Sequence, residues 1–185
     1  MLKVAREVLQ GGADMVQYRN KTSCDRDFSE EASALRKVVK KYGRIFIVND
    51  RVDLAYALDT DGVHIGQEDI SIQYARMILK NKIIGVSAHS LKDALRAEKD
   101  GADYIGIGPV FRTPNKKGAK PIGLTAIRKV AARIGIPVFA IGGINIKNIP
   151  VVKMSGISKI AVISAVINSR SIRNAVARLK QELER

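Results

Sequence analysis

What this chain lacks narrows its reading before any motif is weighed. Its 185 residues include no tryptophan and one cysteine, Cys24. A lone cysteine excludes an intramolecular disulfide and any zinc site built from several thiolates. Two histidines, His64 and His89, stand far from Cys24 and from each other. Neither has a second His or Cys at metal-ligand spacing, so both are read as structural. No apolar run approaches the roughly 18–20 residues that a membrane span requires, and a soluble protein is expected. The opening stretch, MLKVAREVLQGG, sets Lys3, Arg6 and Glu7 in an amphipathic pattern. A secretory signal needs an unbroken apolar region of about 7–15 residues, so a cytoplasmic protein is expected.

Acidic residues are also in short supply. Against 32 Lys+Arg there are 18 Asp+Glu, a formal charge of +14. Such an excess attracts anions, and charge alone leaves nucleic acid, an acidic membrane surface and phosphorylated small molecules open. Much of it falls at helical spacing in 36–44, 128–133 and 170–180, the ordinary pattern of a solvated helix face. A nucleic-acid-binding protein is further disfavoured because only 5% of residues are aromatic, whereas such proteins use stacking aromatics or a recognised module.

What is present is a regular alternation of amphipathic helical patterns with short β-branched runs, the signature of parallel strands joined by crossover helices. Strands are expected at Asp14–Tyr18, Arg44–Val48, Gly62–Ile65, Ile83–Val86, Tyr104–Gly108, Pro137–Ile141 and Lys159–Ile163. Helical patterns lie near 2–10, 27–41, 51–58, 70–80, 90–99, 123–134, 145–154 and 169–184. Several strands are entered through a similar corner: GGADMV, TDGVHI, DGADYI and SGISKIAV. A glycine there can end a helix in the left-handed conformation before the chain turns into a strand. No linker or low-complexity stretch divides the chain, so a single domain over 1–185 is expected. The pattern suits either a (βα)8 barrel or an open doubly wound sheet.

In a barrel the site forms at the C-terminal ends of the strands, so the informative residues follow each apolar run. These are Gln17, Arg19 and Lys21; Asn49 and Asp50; Gln67, Glu68 and Asp69; Ser87; Thr113, Asn115 and Lys116; Gly142 and Gly143; and Ser164. Gly142-Gly143 and Ile163-Ser164-Ala165 resemble the phosphate site that barrels build after their last two strands. Arg19, Lys21 and Lys116 are candidates to grip a second, more highly charged anion. Asp50 and Asp69 end different strands, and two hard oxygen ligands beside a diphosphate suit Mg²⁺. Asp53, Asp59, Asp61, Asp93, Asp100 and Asp103 read as caps and solvated charge.

The motifs QYRNK at 17–21, VNDR at 48–51, DGVHIGQED at 61–69, IGVSAHS at 84–90, YIGIGPVFRTPNK at 104–116, AIGGI at 140–144 and VISAV at 162–166 together resemble the thiamine-phosphate synthase family. The likeness is colinear over nearly the whole chain. It implies a (βα)8 barrel that joins a hydroxymethylpyrimidine diphosphate to a thiazole phosphate with the help of Mg²⁺. Small phosphorylated substrates are the implied partners, and a homo-oligomer is compatible with it. The resemblance assigns the pyrimidine diphosphate to Gln17, Tyr18, Arg19, Asn20, Lys21, Asn49, Ser87 and Lys116. It assigns the thiazole phosphate to Thr113, Pro114, Asn115, Gly143, Ile163 and Ser164, and the metal to Asp50 and Asp69. Arg19, Lys21 and Lys116 would neutralise the departing diphosphate. A related barrel, the thiazole tautomerase, has no need of NDR, the GQED aspartate or the paired cations of QYRNK. Two departures stand out. The family's phosphate loop usually reads Thr-x-Thr-Lys, where this chain has Thr113-Pro114-Asn115-Lys116. Family members also begin with a strand, whereas this sequence opens within the first helix, so a barrel shortened at its N-terminus is expected.

Overall fold

The computed structural model describes residues 1–114 and 118–185. Seven parallel strands form one sheet in chain order. They are β1 (Met15–Tyr18), β2 (Ile45–Asn49), β3 (Gly62–Ile65), β4 (Ile83–Ala88), β5 (Tyr104–Ile107), β6 (Val138–Ile141) and β7 (Lys159–Ala161). All seven expected strands are present, each within a few residues of its expected span.

The helices that connect them are α1 (Leu2–Gln10), α2 (Asp25–Lys41), α3 (Val52–Ala57), α4 (Ile72–Leu79), α5 (Leu91–Lys99), α6 (Gly123–Ala131), α7 (Ile149–Lys153), α8 (Ser164–Ile167) and α9 (Ile172–Glu184). The pattern of eight helical segments thus becomes nine helices among the described residues. The addition is α8, four residues long, which is too short to show a helical period in sequence. Local chemistry sets the helix starts. Ser71, Ser90 and Ser171 each accept a backbone N–H from the first turn, which satisfies a donor that the helix itself leaves unpaired. In α2, Asp25 and Asp27 open the helix and Lys40 and Lys41 close it, matching the sign of the helix dipole at each end.

Strand alternation divides the interior into two layers. On β2, Phe46 and Val48 join the large apolar cluster between sheet and helices, so Ile47 and Asn49 take the opposite face, where both are also buried. A parallel sheet covered on both faces reads as the near-continuous apolar runs seen here. The ends of the sheet are drawn toward one another. Lys180 on α9 donates to the Gly12 carbonyl and to Asp14, both at 2.9 Å, which fastens the last helix to the corner before β1. The result is a curled parallel sheet with helices outside.

The repeated corners have a structural use beyond solvated charge. Asp61 accepts the Phe46 N–H at 2.7 Å and Asp103 accepts the Ile84 N–H at 2.7 Å. Each carboxylate therefore satisfies a backbone donor of the neighbouring strand, which a buried sheet cannot leave unpaired. None of the helices in the described residues is long and apolar enough to cross a membrane.

Candidate active site

The inner face of the sheet carries polar groups where an apolar core would otherwise continue. His64, Gly85 and Tyr104 lie side by side across β3, β4 and β5. Tyr104 reaches across the middle strand, and its hydroxyl lies 2.9 Å from His64 Nδ1. This crossing requires glycine at 85, because a Cβ there would fall inside the Tyr104 ring. His64 Nε2 lies 2.9 Å from the Ser87 hydroxyl. Gln17, exposed on β1, lies at the Tyr104 oxygen and opposes the effect of burial on the phenol. Tyr104, His64 and Ser87 form one hydrogen-bonded line across β5, β3 and β4, with Gln17 beside its Tyr104 end. Burial pushes the His64 pKa down to about 4, and the same cause raises that of the Tyr104 phenol. Both groups are therefore neutral at pH 7. Gln67 holds the other side of Ser87 by donating to its carbonyl, while Arg96 donates to Gln67 at 2.6 Å.

A charged cluster caps the same ends of β2 and β3. Asp50 leaves β2 with a φ of 63°, its N–H donating to the His64 carbonyl at 2.8 Å. Lys21, in the loop after β1, ion-pairs with it at 3.3 Å. The Asp69 carboxylate presses on Asp50 from the loop after β3 and is itself steadied by the Gly66 N–H at 2.6 Å. Burial and the Asp69 carboxylate push the Asp50 pKa above the usual carboxylate range, with Lys21 opposing. Among the described residues no group of three or more His, Cys, Asp or Glu is placed to share a metal. Two carboxylates in like-charge contact form a donor set suited to Mg²⁺, which takes one or two from the protein and completes its shell with water and phosphate.

The loops after β5 and β6 run against each other. Val110 and Phe111 donate to the carbonyls of Ile141 and Gly142 at 2.9 and 3.0 Å. Gly143, with φ of 67°, fits under this loop where a Cβ would lie 2.5 Å from the Arg112 carbonyl oxygen. Asn148 donates to the Gly143 carbonyl at 3.0 Å, which fixes the turn from the other side. Ile163 caps α8, and Ser164 is its first residue. Thr113 and Pro114 continue the β5 loop, while Asn115 and Lys116 lie outside the described residues.

Two of the residues that sequence grouped with the diphosphate behave differently from their neighbours. Tyr18 is buried against α2, its ring centroid 4.7 Å from that of Phe28 and its hydroxyl bonded to Glu31. Asn20 accepts the N–H groups of Thr22 and Ser23 at 3.0 and 3.2 Å, so it shapes the loop that carries Lys21. Arg19 is exposed beside them. Sequence reading missed Tyr104, whose only signal is its place at the head of a Tyr-x-Gly-x-Gly alternation that leaves room on one face. It also passed over Arg51, which bonds Asp53 with two nitrogens and Asp25 with a third. That pairing ties the start of α2 to α3 just behind Asp50.

The chain is similar to known proteins over nearly its whole length. A family model described as thiamine monophosphate synthase matches residues 1–166. A thiamine-phosphate synthase of Chloroflexus aurantiacus is 46% identical over 178 residues, 96% of this chain and 82% of that protein. One from Methanocella arvoryzae is 48% identical over 181 residues, 96% and 85% of the two chains. The solved thiamine phosphate pyrophosphorylase of Pyrococcus furiosus superposes with a TM-score of 0.94 at 45% identity, over 99% of this chain and 89% of that one. A 3-hexulose-6-phosphate synthase at 17% identity and a TM-score of 0.73 shares the fold alone. The chain belongs to the thiamine monophosphate synthase family, a family of transferases of thiamine biosynthesis.

Proposed function

We propose that this protein is a cytoplasmic enzyme, one (βα)8-type barrel domain over residues 1–185, that joins hydroxymethylpyrimidine diphosphate to thiazole phosphate. The products are thiamine phosphate and diphosphate. The observation that carries this reading is the convergence of Lys21, Asp50 and Asp69 at the strand ends that also hold Gln17 and Ser87. Lys21 and Arg19 would grip the diphosphate, Lys as a mobile point charge and Arg by its planar fork. Lys116, assigned from the sequence motif, would add a third cation. Gln17 and Ser87 would orient the pyrimidine from either side of the buried Tyr104–His64 pair, and Asn49 would contribute beside them.

Asp50 and Asp69 are the residues that would hold Mg²⁺, and a bound ion supplies charge neutralisation at the departing diphosphate. As the carbon–oxygen bond to the diphosphate breaks, the pyrimidine methyl carbon becomes cationic and the thiazole nitrogen captures it. The protein contributes position and electrostatics, and no side-chain nucleophile is required. The thiazole phosphate would sit between the Thr113-Pro114-Asn115 loop, Gly143 and the Ile163-Ser164 turn. Tyr18 and Asn20 would act by shaping the loop after β1.

A coupled diphosphate-release assay with both substrates and Mg²⁺ tests the proposal. Release that depends on both substrates and yields thiamine phosphate is the expected result. No release with both substrates present, or release that persists when either one is omitted, would overturn it.

A further inference from the structure

We propose that His89 is a positioning residue for the loop that would bind the thiazole phosphate: its imidazole holds the Gly108 carbonyl and so fixes the direction in which the chain leaves β5 toward Thr113. This rests on the reading of that loop as the thiazole-phosphate subsite and assigns the residue that sets it relative to Ser87.

The need for such a hold begins at Gly108. A Cβ there would lie 2.1 Å from the Ile141 carbonyl oxygen, so the close approach to the end of β6 requires glycine. Glycine also has the widest backbone freedom of any residue, and this one stands where the loop begins. Pro109 follows and has no N–H. The peptide between them can be held by a hydrogen bond only through the Gly108 carbonyl. His89 Nδ1 lies 2.5 Å from that oxygen. A carbonyl only accepts, so the proton of this bond is on Nδ1. The Gly108 N–H, on the other side of the same Cα, donates to the Ala88 carbonyl at 3.1 Å. Two consecutive residues at the end of β4 thus fasten both peptide planes that meet at Gly108, and neither of its dihedrals is left free to turn.

His89 is itself anchored. Its N–H donates to the Asp93 carboxylate at 3.1 Å, and the Asp93 N–H donates to the Ser90 hydroxyl at 3.1 Å, much as in a capping box. Two residues earlier, the Ser87 carbonyl accepts from Gln67. Beyond Gly108 the restraint is passed on. The Pro109 carbonyl accepts the Ile122 N–H at 2.8 Å, and Val110 and Phe111 donate to the Ile141 and Gly142 carbonyls. Gly143 packs beneath Arg112, one residue before Thr113. His89 therefore sets the spacing between the strand end that carries Ser87 and the loop that carries Thr113.

Three variants separate this role from others. The amide nitrogen of Asn takes the position of the imidazole Nδ1 and can donate the same bond, whereas Gln reaches only to the position of Nε2 and Leu donates nothing. Amide hydrogen exchange at Val110 and Phe111 needs no substrate. It should quicken about tenfold in His89→Leu and His89→Gln, the effect of losing one hydrogen bond, and stay native in His89→Asn. Equal exchange in all these proteins would overturn the proposal. In steady-state kinetics, KM for the thiazole phosphate should rise about tenfold in His89→Leu and His89→Gln and recover in His89→Asn, with KM for the pyrimidine diphosphate held within about twofold. A loss of kcat that His89→Asn fails to restore would overturn the proposal by making His89 a group that meets substrate. An equal rise in both Michaelis constants would overturn it too. If the native protein turns over neither substrate, the reading of the site fails, and exchange still decides whether His89 holds the loop.

Discussion

Lys21 pairs with Asp50 at 3.3 Å while Asp69 presses a second carboxylate against the same group. Two like charges held together by the ends of separate strands are costly to the fold alone, and one lysine relieves only part of that cost. The arrangement makes sense as a site that binds a cation. Asp69→Asn should lower turnover more than tenfold, about 1.4 kcal/mol in the barrier, with the melting temperature unchanged or raised. Activity should vanish in EDTA and return with excess Mg²⁺. Full activity of Asp69→Asn in EDTA would remove the metal role.

His64 supplies a pH dependence whose sign follows from its depressed pKa. The unfolded side chain takes up a proton near pH 6.5, whereas the folded one does so only near pH 4 because it is buried. Between those values the unfolded state binds more protons, so stability falls as pH falls and is fully present only above about pH 6.5. The contribution lost across this window is about 3 kcal/mol. Urea unfolding at pH 7 and pH 4.5 should show a marked decline, and His64→Gln should flatten it. An identical decline in both proteins would assign the pH dependence to other groups.

The strands were legible in sequence because β-branched runs on a doubly covered sheet need no partner to be recognised, as in Arg44–Val48 and Lys159–Ile163. The placement of polar residues at the strand ends was legible for a similar reason: polar residues after an apolar run have one place to go. The inner line was not. His64 reads as an isolated histidine, and Tyr104 lies 40 residues away from it in sequence. Their contact depends on strand register and on the empty face of Gly85, neither of which a single sequence displays. Asp61 and Asp103 were read as solvated charge because their acceptors' partners, Phe46 and Ile84 N–H, belong to neighbouring strands.

Gly143 offers a test of the phosphate turn. Its φ of 67° and the nearby Phe111 Cβ, 2.8 Å from where a Cβ would stand, leave no relaxed place for a side chain. Gly143→Ala should cost about 1–3 kcal/mol of stability. It should also raise KM for the thiazole phosphate more than for the pyrimidine diphosphate, since the displaced loop runs from Phe111 toward Thr113. Equal changes in both constants would argue against separate subsites.

Gly85 tests whether the buried line is one unit. A Cβ at this position would occupy the Tyr104 ring, which is held between His64 and Phe139 and cannot slide away. Gly85→Ala should therefore destabilise the protein by about 1–3 kcal/mol through overpacking. It should weaken pyrimidine-diphosphate binding by parting Gln17 from Ser87, while leaving the thiazole phosphate constant nearly unchanged. The double variant Gly85→Ala/Tyr104→Ala separates crowding from simple loss of a contact. Tyr104→Ala alone leaves a void where the ring was, and the new methyl group at 85 enters that void. Its stability should then exceed the sum of the single effects by about 1 kcal/mol or more, the coupling expected of residues in direct contact. Denaturant titration of the four proteins measures that term. Strict additivity would show that the ring and residue 85 do not share space, and the line across β4 would have to be redrawn.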